Sequence, residues 1–496
     1  MLKFLNKKDE TKMKKIKIQS LLYLYIIICP ILDCASFIFR NALNTSISPS
    51  TIIRPIFVLI TCLYIFITDK KQRKIFVLAG FTYGIYALVH LYIFTLVKNN
   101  SSYSGIIHEL QYLVNYTFMV LNLYVYIYTF AQSKDTNKLI KCILTSVSIY
   151  ILSIYLSILT GTSSHTYMLE QMGYKGWFES GNSLSAILIL SMFILVNIFS
   201  KKNISKKNKI WTGIIITLIG IFLMSLIGTR VGLFGFILVI GIFIVAQLIN
   251  NIIRRNKVKQ TIIISGMLLV IAIFGIIMIF KVFGSNTLDR REKVEEMANI
   301  LIDEETNEKI HITGDMYKIK KQIKDGTLEQ GFMSKEQQQT VLKLDEIATK
   351  YNLSVEQMRI LQLIYNIELA NNQSSLIYRL FGNGYVCQYR EMILEMELLA
   401  IPINFGLYGF ILYILPFIVV YCYSFYKGLK NIKRIDVEYM MLISGGGLAF
   451  VLSLLSGYIF FNASTTMIII LINLLLLIKT KEISKLPKLL EEKNKI

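Results

Sequence analysis

The segment "YREMILEMELL", residues 389–399, carries Arg390, Glu391, Glu395 and Glu397 up to a glycine-punctuated apolar run, "AIPINFGLYGFILYILPF". On a helix Glu391 and Glu395 share one face, and Arg390 and Glu397 share the neighbouring one. Like charges on one stripe repel, and near a low-dielectric boundary that repulsion favours a shared proton or a cation between the groups. A carboxylate in such surroundings suits a general base that removes a proton from a sugar hydroxyl. The plainer alternative pairs Arg390 with Glu397 and leaves the other two in water.

A second focus is Arg230 in "SLIGTRVGLFGF", between two apolar runs with almost no loop and with Gly228 and Gly232 leaving room beside it. A guanidinium at a membrane edge fits a phosphate or carboxylate, because its planar fork donates in pairs and stays charged. Its alternative is an interfacial arginine that anchors a helix end. Arg379 and Arg390 are further candidates for a phosphate. Asp33 in "PILDCASF", Arg54 in "SPSTIIRP", Asn182 in "ESGNSLS" and Asn462 in "FFNAS" fall at span ends on the same side, where they line one cavity or simply bond helix to helix. No P-loop, G-x-S-x-G or H-E-x-x-H motif occurs, and no D-x-D motif lies in an outer loop to hold a metal for a nucleotide sugar, so phosphate chemistry here rests on arginine, with no metal ligand set.

What must position these residues is a membrane bundle. The chain is 54% apolar and 17% charged with a mean hydropathy of +0.54, far from soluble composition. Apolar runs near the length of a span occur at about 20–39, 51–68, 75–97, 107–130, 139–160, 181–199, 210–228, 231–250, 261–283, 403–426, 438–458 and 461–478, twelve in all. Threaded alternately with the N-terminus inside, they put every strongly basic connector on one side, which assigns the +21 net charge to topology and leaves no need for nucleic acid. The expected architecture is an all-α polytopic protein of the plasma membrane with both termini cytoplasmic. Residues 1–283 hold nine spans, 284–392 a large and mostly helical extracellular loop, 393–480 three spans and 481–496 a basic tail. The loop is too long for a connector, and its stretch 335–373 has helical spacing with Ser354 as an N-cap. The first span, with "CPILDCASF" and no small-residue cleavage site, reads as a retained helix. Six cysteines and four histidines are scattered without a disulfide or metal pattern.

In the order "GNSLSAILIL", "GTRVGLFGF", a long loop, "FGNGY", "LEMELLAIPINFGLYGFILYILPF" and "SGYIFFNASTTM", the chain resembles the O-antigen ligase and O-antigen polymerase superfamily, particularly its Gram-positive capsule and exopolysaccharide polymerase branch. The resemblance covers most of the chain outside the middle of the loop. Counting back from Gly406 puts Glu395 where family ligases carry a histidine, and "EME" is closer to the "EMD" of the polymerases, with Glu397 for the aspartate. Arg230 matches the family's serine-arginine turn, with Thr229 for the serine. The resemblance implies a glycosyltransferase-C-like fold and inverting, metal-free transfer from an undecaprenyl-pyrophosphate-linked oligosaccharide. Glu395, with Glu391, would be the base, and Arg230, Arg390, Arg379 and Arg54 would meet the pyrophosphate. Glu397, Asn182, Asp33 and Asn462 would contact saccharide or hold structure. It implies membrane lipid and lipid-linked saccharide as partners, admits other polysaccharide export proteins, and calls for no cofactor. Ligation to a surface acceptor, a lipid-oligosaccharide flippase and a binding scaffold are the competing readings.

Overall fold

The computed structural model describes residues 2–43, 48–97, 103–131, 136–167, 171–200, 205–253, 280–290, 315–329, 335–353, 358–371, 375–385, 394–457 and 459–493, with a few isolated positions in 266–277. Eight spans form the first part: α1 (Leu2–Leu43, apolar from Ile18), α2 (Pro49–Thr68), α3 (Lys70–Tyr92), α4 (Tyr103–Phe130), α5 (Asn137–Leu159), α6 (Gly181–Ser200), α7 (Lys206–Ile221) and α8 (Arg230–Ile253). α3 and α7 each end in a π-helical turn, Ile93–Val97 and Phe222–Leu226. The expected ninth span, 261–283, lies mostly outside the described residues.

The loop supplies α9 (Asp315–Lys324), α10 (Lys335–Lys350), α11 (Met358–Asn371) and α12 (Leu376–Phe381). Leu344, Ile347 and Ala348 recur at helical spacing on α10 and meet Leu361 and Tyr365 of α11, with Leu353 from the connection, in a small core of their own. The Lys320 ammonium joins α9 to α10 at Asp345, 2.7 Å away. The expected cap Ser354 lies outside the described residues.

The C-terminal part corrects one expectation. The run at 403–426 is not one straight helix: α13 (Glu397–Asn404), α14 (Gly406–Tyr413) and α15 (Leu415–Lys430) follow one another, and α14 and α15 meet at 52°. Pro416 has no N–H for the Leu412 carbonyl and its ring crowds that turn, so the helix breaks there. α16 (Val437–Leu455) and α17 (Ala463–Lys493) complete the chain. Ten described helices are long and apolar enough to cross a membrane, or eleven with α14 and α15 as one bent span.

α6 and α17 form the centre, with 89% of each apolar window buried. α6 packs on α7, α8, α16 and α17, and α17 also packs on α4 and α15. At the end away from the loop, Lys479 of α17 pairs with Asp436 at 2.8 Å and Glu438 at 3.1 Å, and Lys481 donates to the Ala131 carbonyl. The sequence reading did not anticipate an antiparallel hairpin, β1 (Ser164–Tyr167) and β2 (Met172–Gly176), between α5 and α6. It lies on the turn between α7 and α8, where a Cβ on Gly173 would collide with the Ile227 carbonyl.

Candidate active site at the loop end of the bundle

The stretch 457–466 contains Asn462 and meets Glu395, Glu397, Arg54 and Asp33. The Glu397 carboxylate, buried at the first turn of α13, accepts backbone N–H bonds from Ile459 (2.8 Å), Phe460 (2.6 Å) and Phe461 (2.7 Å). Burial pushes this carboxyl up to about 7, against the opposing pull of the three N–H donors, and it stands outside the spanning helices. The Asn462 side chain caps α17, with Oδ1 accepting from the Ser464 and Thr465 N–H groups at 3.0 Å each. Both residues therefore shape the loop between α16 and α17, and it is this loop that meets Glu395.

Glu395 is not on a helix: residues 394–396 carry no regular secondary structure, so the helical face expected to align it with Glu391 does not extend to this position. Of the four polar candidates in 389–399, Glu395 and Glu397 are described, and Arg390 and Glu391 lie outside the described residues. Gly457 passes so close that a Cβ there would stand 2.8 Å from Oε2 of Glu395. Arg359 of α11 reaches down from the loop, its Nε donating to that Oε2 at 3.1 Å and its Nη1 to the Leu455 carbonyl at 2.6 Å. Glu395 keeps about a third of its surface open, at 30% exposure, and lines a narrow cleft of about 10 Å³, room for roughly one water, together with Tyr112, Tyr116, Tyr385, Leu394, Glu397 and Phe461.

Tyr385 closes the cleft. Its ring stacks on Tyr112 with centroids 3.8 Å apart, and its hydroxyl donates to Tyr116 at 3.3 Å. The turn before it, "FGNGY", requires its glycines. Gly382 (φ +86°) and Gly384 (φ +74°) are left-handed, and a Cβ on Gly382 would collide with the Asn404 carbonyl. That approach lets the Asn383 and Gly384 N–H groups bond the Ile403 and Asn404 carbonyls at 3.2 and 2.7 Å, which ties the loop's end to the last turn of α13.

Deeper in the bundle, Arg54 is buried and committed. Its Nη2 donates to Asp33 at 2.7 Å, to Ser464 at 2.6 Å and to the Cys29 carbonyl at 3.3 Å, while Tyr150 donates to Asp33 at 2.8 Å. This network bonds α1, α2, α5 and α17 together, a helix-to-helix role more than a lipid-facing one. Asn182 is partly buried near the start of α6, beside Ser183, whose carbonyl accepts from Thr465 at 3.4 Å. Thr229 bonds Ser185 at 2.7 Å and caps α8 through the Gly232 N–H, which leaves Arg230 exposed as the first residue of α8. Arg379 is exposed on α12.

The sequence reading missed Arg359, Tyr112, Tyr385 and a buried pair, His90 on α3 and Glu109 on α4. An ionisable residue inside an apolar run was the available signal for the last two. Among the described residues no group of three His, Cys, Asp or Glu side chains is placed to hold a metal.

A carboxylate held by a guanidinium at the mouth of an aromatic cleft can accept a proton from a hydroxyl, and an exposed arginine at a helix N-terminus can meet an anion. A family model described as "O-antigen ligase like membrane protein" matches residues 15–483, which include the whole cleft. No curated protein matches the chain. The chain therefore belongs to the O-antigen ligase like membrane proteins, a multi-pass family of ligase- or polymerase-type glycan transfer.

Proposed function

We propose that this protein joins undecaprenyl-pyrophosphate-linked oligosaccharide units at the outer leaflet of the plasma membrane, as a polymerase of the Gram-positive capsule and exopolysaccharide type. The acceptor hydroxyl oxygen attacks the anomeric carbon of the donor sugar with inversion. The bond from that carbon to the pyrophosphate oxygen breaks with its electron pair staying on the pyrophosphate, and the hydroxyl proton passes to Glu395. Arg230, supported by Arg379 or Arg390, meets the negative charge of the leaving group as it develops. Arg359 orients the Glu395 carboxylate, and the loop helices keep both saccharides at the cleft.

The observation that carries this reading is the Glu395 carboxylate, held by Arg359 yet open to the cleft, in a chain of this family. The test is the length distribution of lipid-linked saccharide in cells carrying wild type, Glu395→Gln or Arg230→Ala at equal membrane levels. Single repeat units accumulating on the lipid in both variants support the reading. Full-length lipid-linked chains that fail to reach their acceptor would make the protein a ligase, and unchanged products would remove both residues from the chemistry.

A further inference from the structure

His90 and Glu109 are buried, at 1% and 0% exposure, and neither side chain lines the cleft. Every polar atom of the pair is nonetheless engaged. His90 Nε2 lies 2.7 Å from Glu109 Oε1, His90 Nδ1 donates to the Phe381 carbonyl at 2.7 Å, and Glu109 Oε2 accepts from the Tyr385 N–H at 2.8 Å. Two helices of the bundle thus grip both ends of one turn, 381–385. A buried ionisable pair is costly unless fully bonded, and here the bonds that complete it all go to that turn.

The spacing on α4 adds to this grip. Glu109, Tyr112 and Tyr116 stand three and four apart, on one face. Glu109 holds the Tyr385 backbone, Tyr112 stacks on its ring and Tyr116 meets its hydroxyl. On α3, one turn before His90, Tyr86 donates to the Phe405 carbonyl at 3.0 Å, so the strand of chain facing the turn is fixed from the same helix.

We infer that His90 and Glu109 are positioning residues for glycan transfer: they fix the 381–385 turn so that Tyr385 shapes the narrow cleft that Glu395 also lines. The inference rests on the reading of that cleft as the transfer site. The role is geometric, and it sets which variants survive. In Glu109→Gln the amide can donate to Nε2 of a neutral His90 while its oxygen accepts the Tyr385 N–H, so all bonds persist without charge. Glu109→Asp keeps the charge but is one methylene shorter and cannot reach both partners.

The experiment uses full-length protein in nanodiscs, with hydrogen exchange of peptides covering 381–385 and steady-state transfer of lipid-linked saccharide extracted from cells that lack the protein. For Glu109→Gln both readouts stay near wild type. For Glu109→Asp exchange at 381–385 rises about tenfold, the effect of one lost hydrogen bond, and KM for the saccharide rises more than kcat falls, with the melting temperature little changed. Glu109→Asp at wild-type values, or Glu109→Gln impaired while Glu109→Asp is not, overturns the inference. Glu395→Gln run alongside separates the two claims. Transfer intact in Glu395→Gln with 381–385 loosened in Glu109→Asp removes the base and keeps the pair. Transfer lost in Glu395→Gln with Glu109→Asp unchanged removes the pair alone.

Discussion

Replacing Glu397 by alanine should loosen the loop that shapes the cleft. The carboxylate is 3% exposed and accepts N–H bonds of 2.6–2.8 Å from three consecutive residues, of which Ile459 and Phe460 are buried. Each buried donor left unmade costs about 1–3 kcal/mol. Water can enter the space left by the carboxylate and recover part of that, so a loss of about 3–4 kcal/mol for the segment is expected. At 1.4 kcal/mol per factor of ten, local opening of 457–466 rises by about two to three orders of magnitude. Glu397→Gln keeps one acceptor oxygen but turns an NH2 toward a donor, so about 1–3 kcal/mol is expected there. Hydrogen exchange of peptides covering 457–466 at pH 8, where the carboxyl is ionised, measures it, with the α10–α11 hairpin as an internal control. Exchange in Glu397→Ala within about threefold of wild type would refute the claim that this carboxylate holds the loop.

Three further outcomes follow from the same contacts. Gly457→Ala places a Cβ 2.8 Å from Oε2 and 2.9 Å from Cβ of Glu395, so transfer should fall about tenfold or more while the melting temperature holds; unchanged transfer would show that Glu395 moves aside freely. Arg54→Met leaves the part-buried Asp33 without its cation and should cost about 2–4 kcal/mol, read as lost protein in the membrane, with Arg54→Met/Asp33→Asn recovering part of it. The Glu397 carboxyl, raised from 4.5 to about 7 by burial, holds its proton in the folded state where the unfolded chain has released it. Its contribution to stability is therefore full below about pH 4.5 and lost as pH rises through 7, so the melting temperature of wild type relative to Glu397→Gln should fall between pH 5 and 8. A flat difference would place the carboxyl's proton equilibrium outside that window.

The spans were legible because twenty apolar residues in a row have few other fates. The expected run at 139–160 is the helix Asn137–Leu159, and that at 181–199 matches the apolar part of α6. The break at 413–415 was also written in the sequence, in Pro416, yet the composition of the run hides it. The hairpin at 164–176 was not legible: it is short, only partly buried, and depends on a close approach to the α7–α8 turn that no local pattern announces. Of the site, the sequence marked Glu395, Glu397, Arg230 and "FGNGY", because carboxylates, a guanidinium and paired glycines are unusual at a membrane edge. It did not separate Glu395, open to a cleft, from Glu397, sealed under three amides, since that difference is made by residues 457–461 some sixty positions later. Arg359 sat unnoticed in a loop of mixed charge. His90 and Glu109, nineteen apart on adjacent helices, become a pair only when α3 and α4 pack.

The proposed role of Glu395 is to take the acceptor's proton. The direct measurement is single-turnover transfer in nanodiscs by wild type, Glu395→Gln and Glu395→Asp, with donor lipid saturating and its binding measured separately. Glu395→Gln is expected to bind donor as wild type does but to transfer about 10²–10⁴-fold more slowly, and Glu395→Asp to retain part of the rate. Wild-type transfer by a correctly folded Glu395→Gln would contradict it.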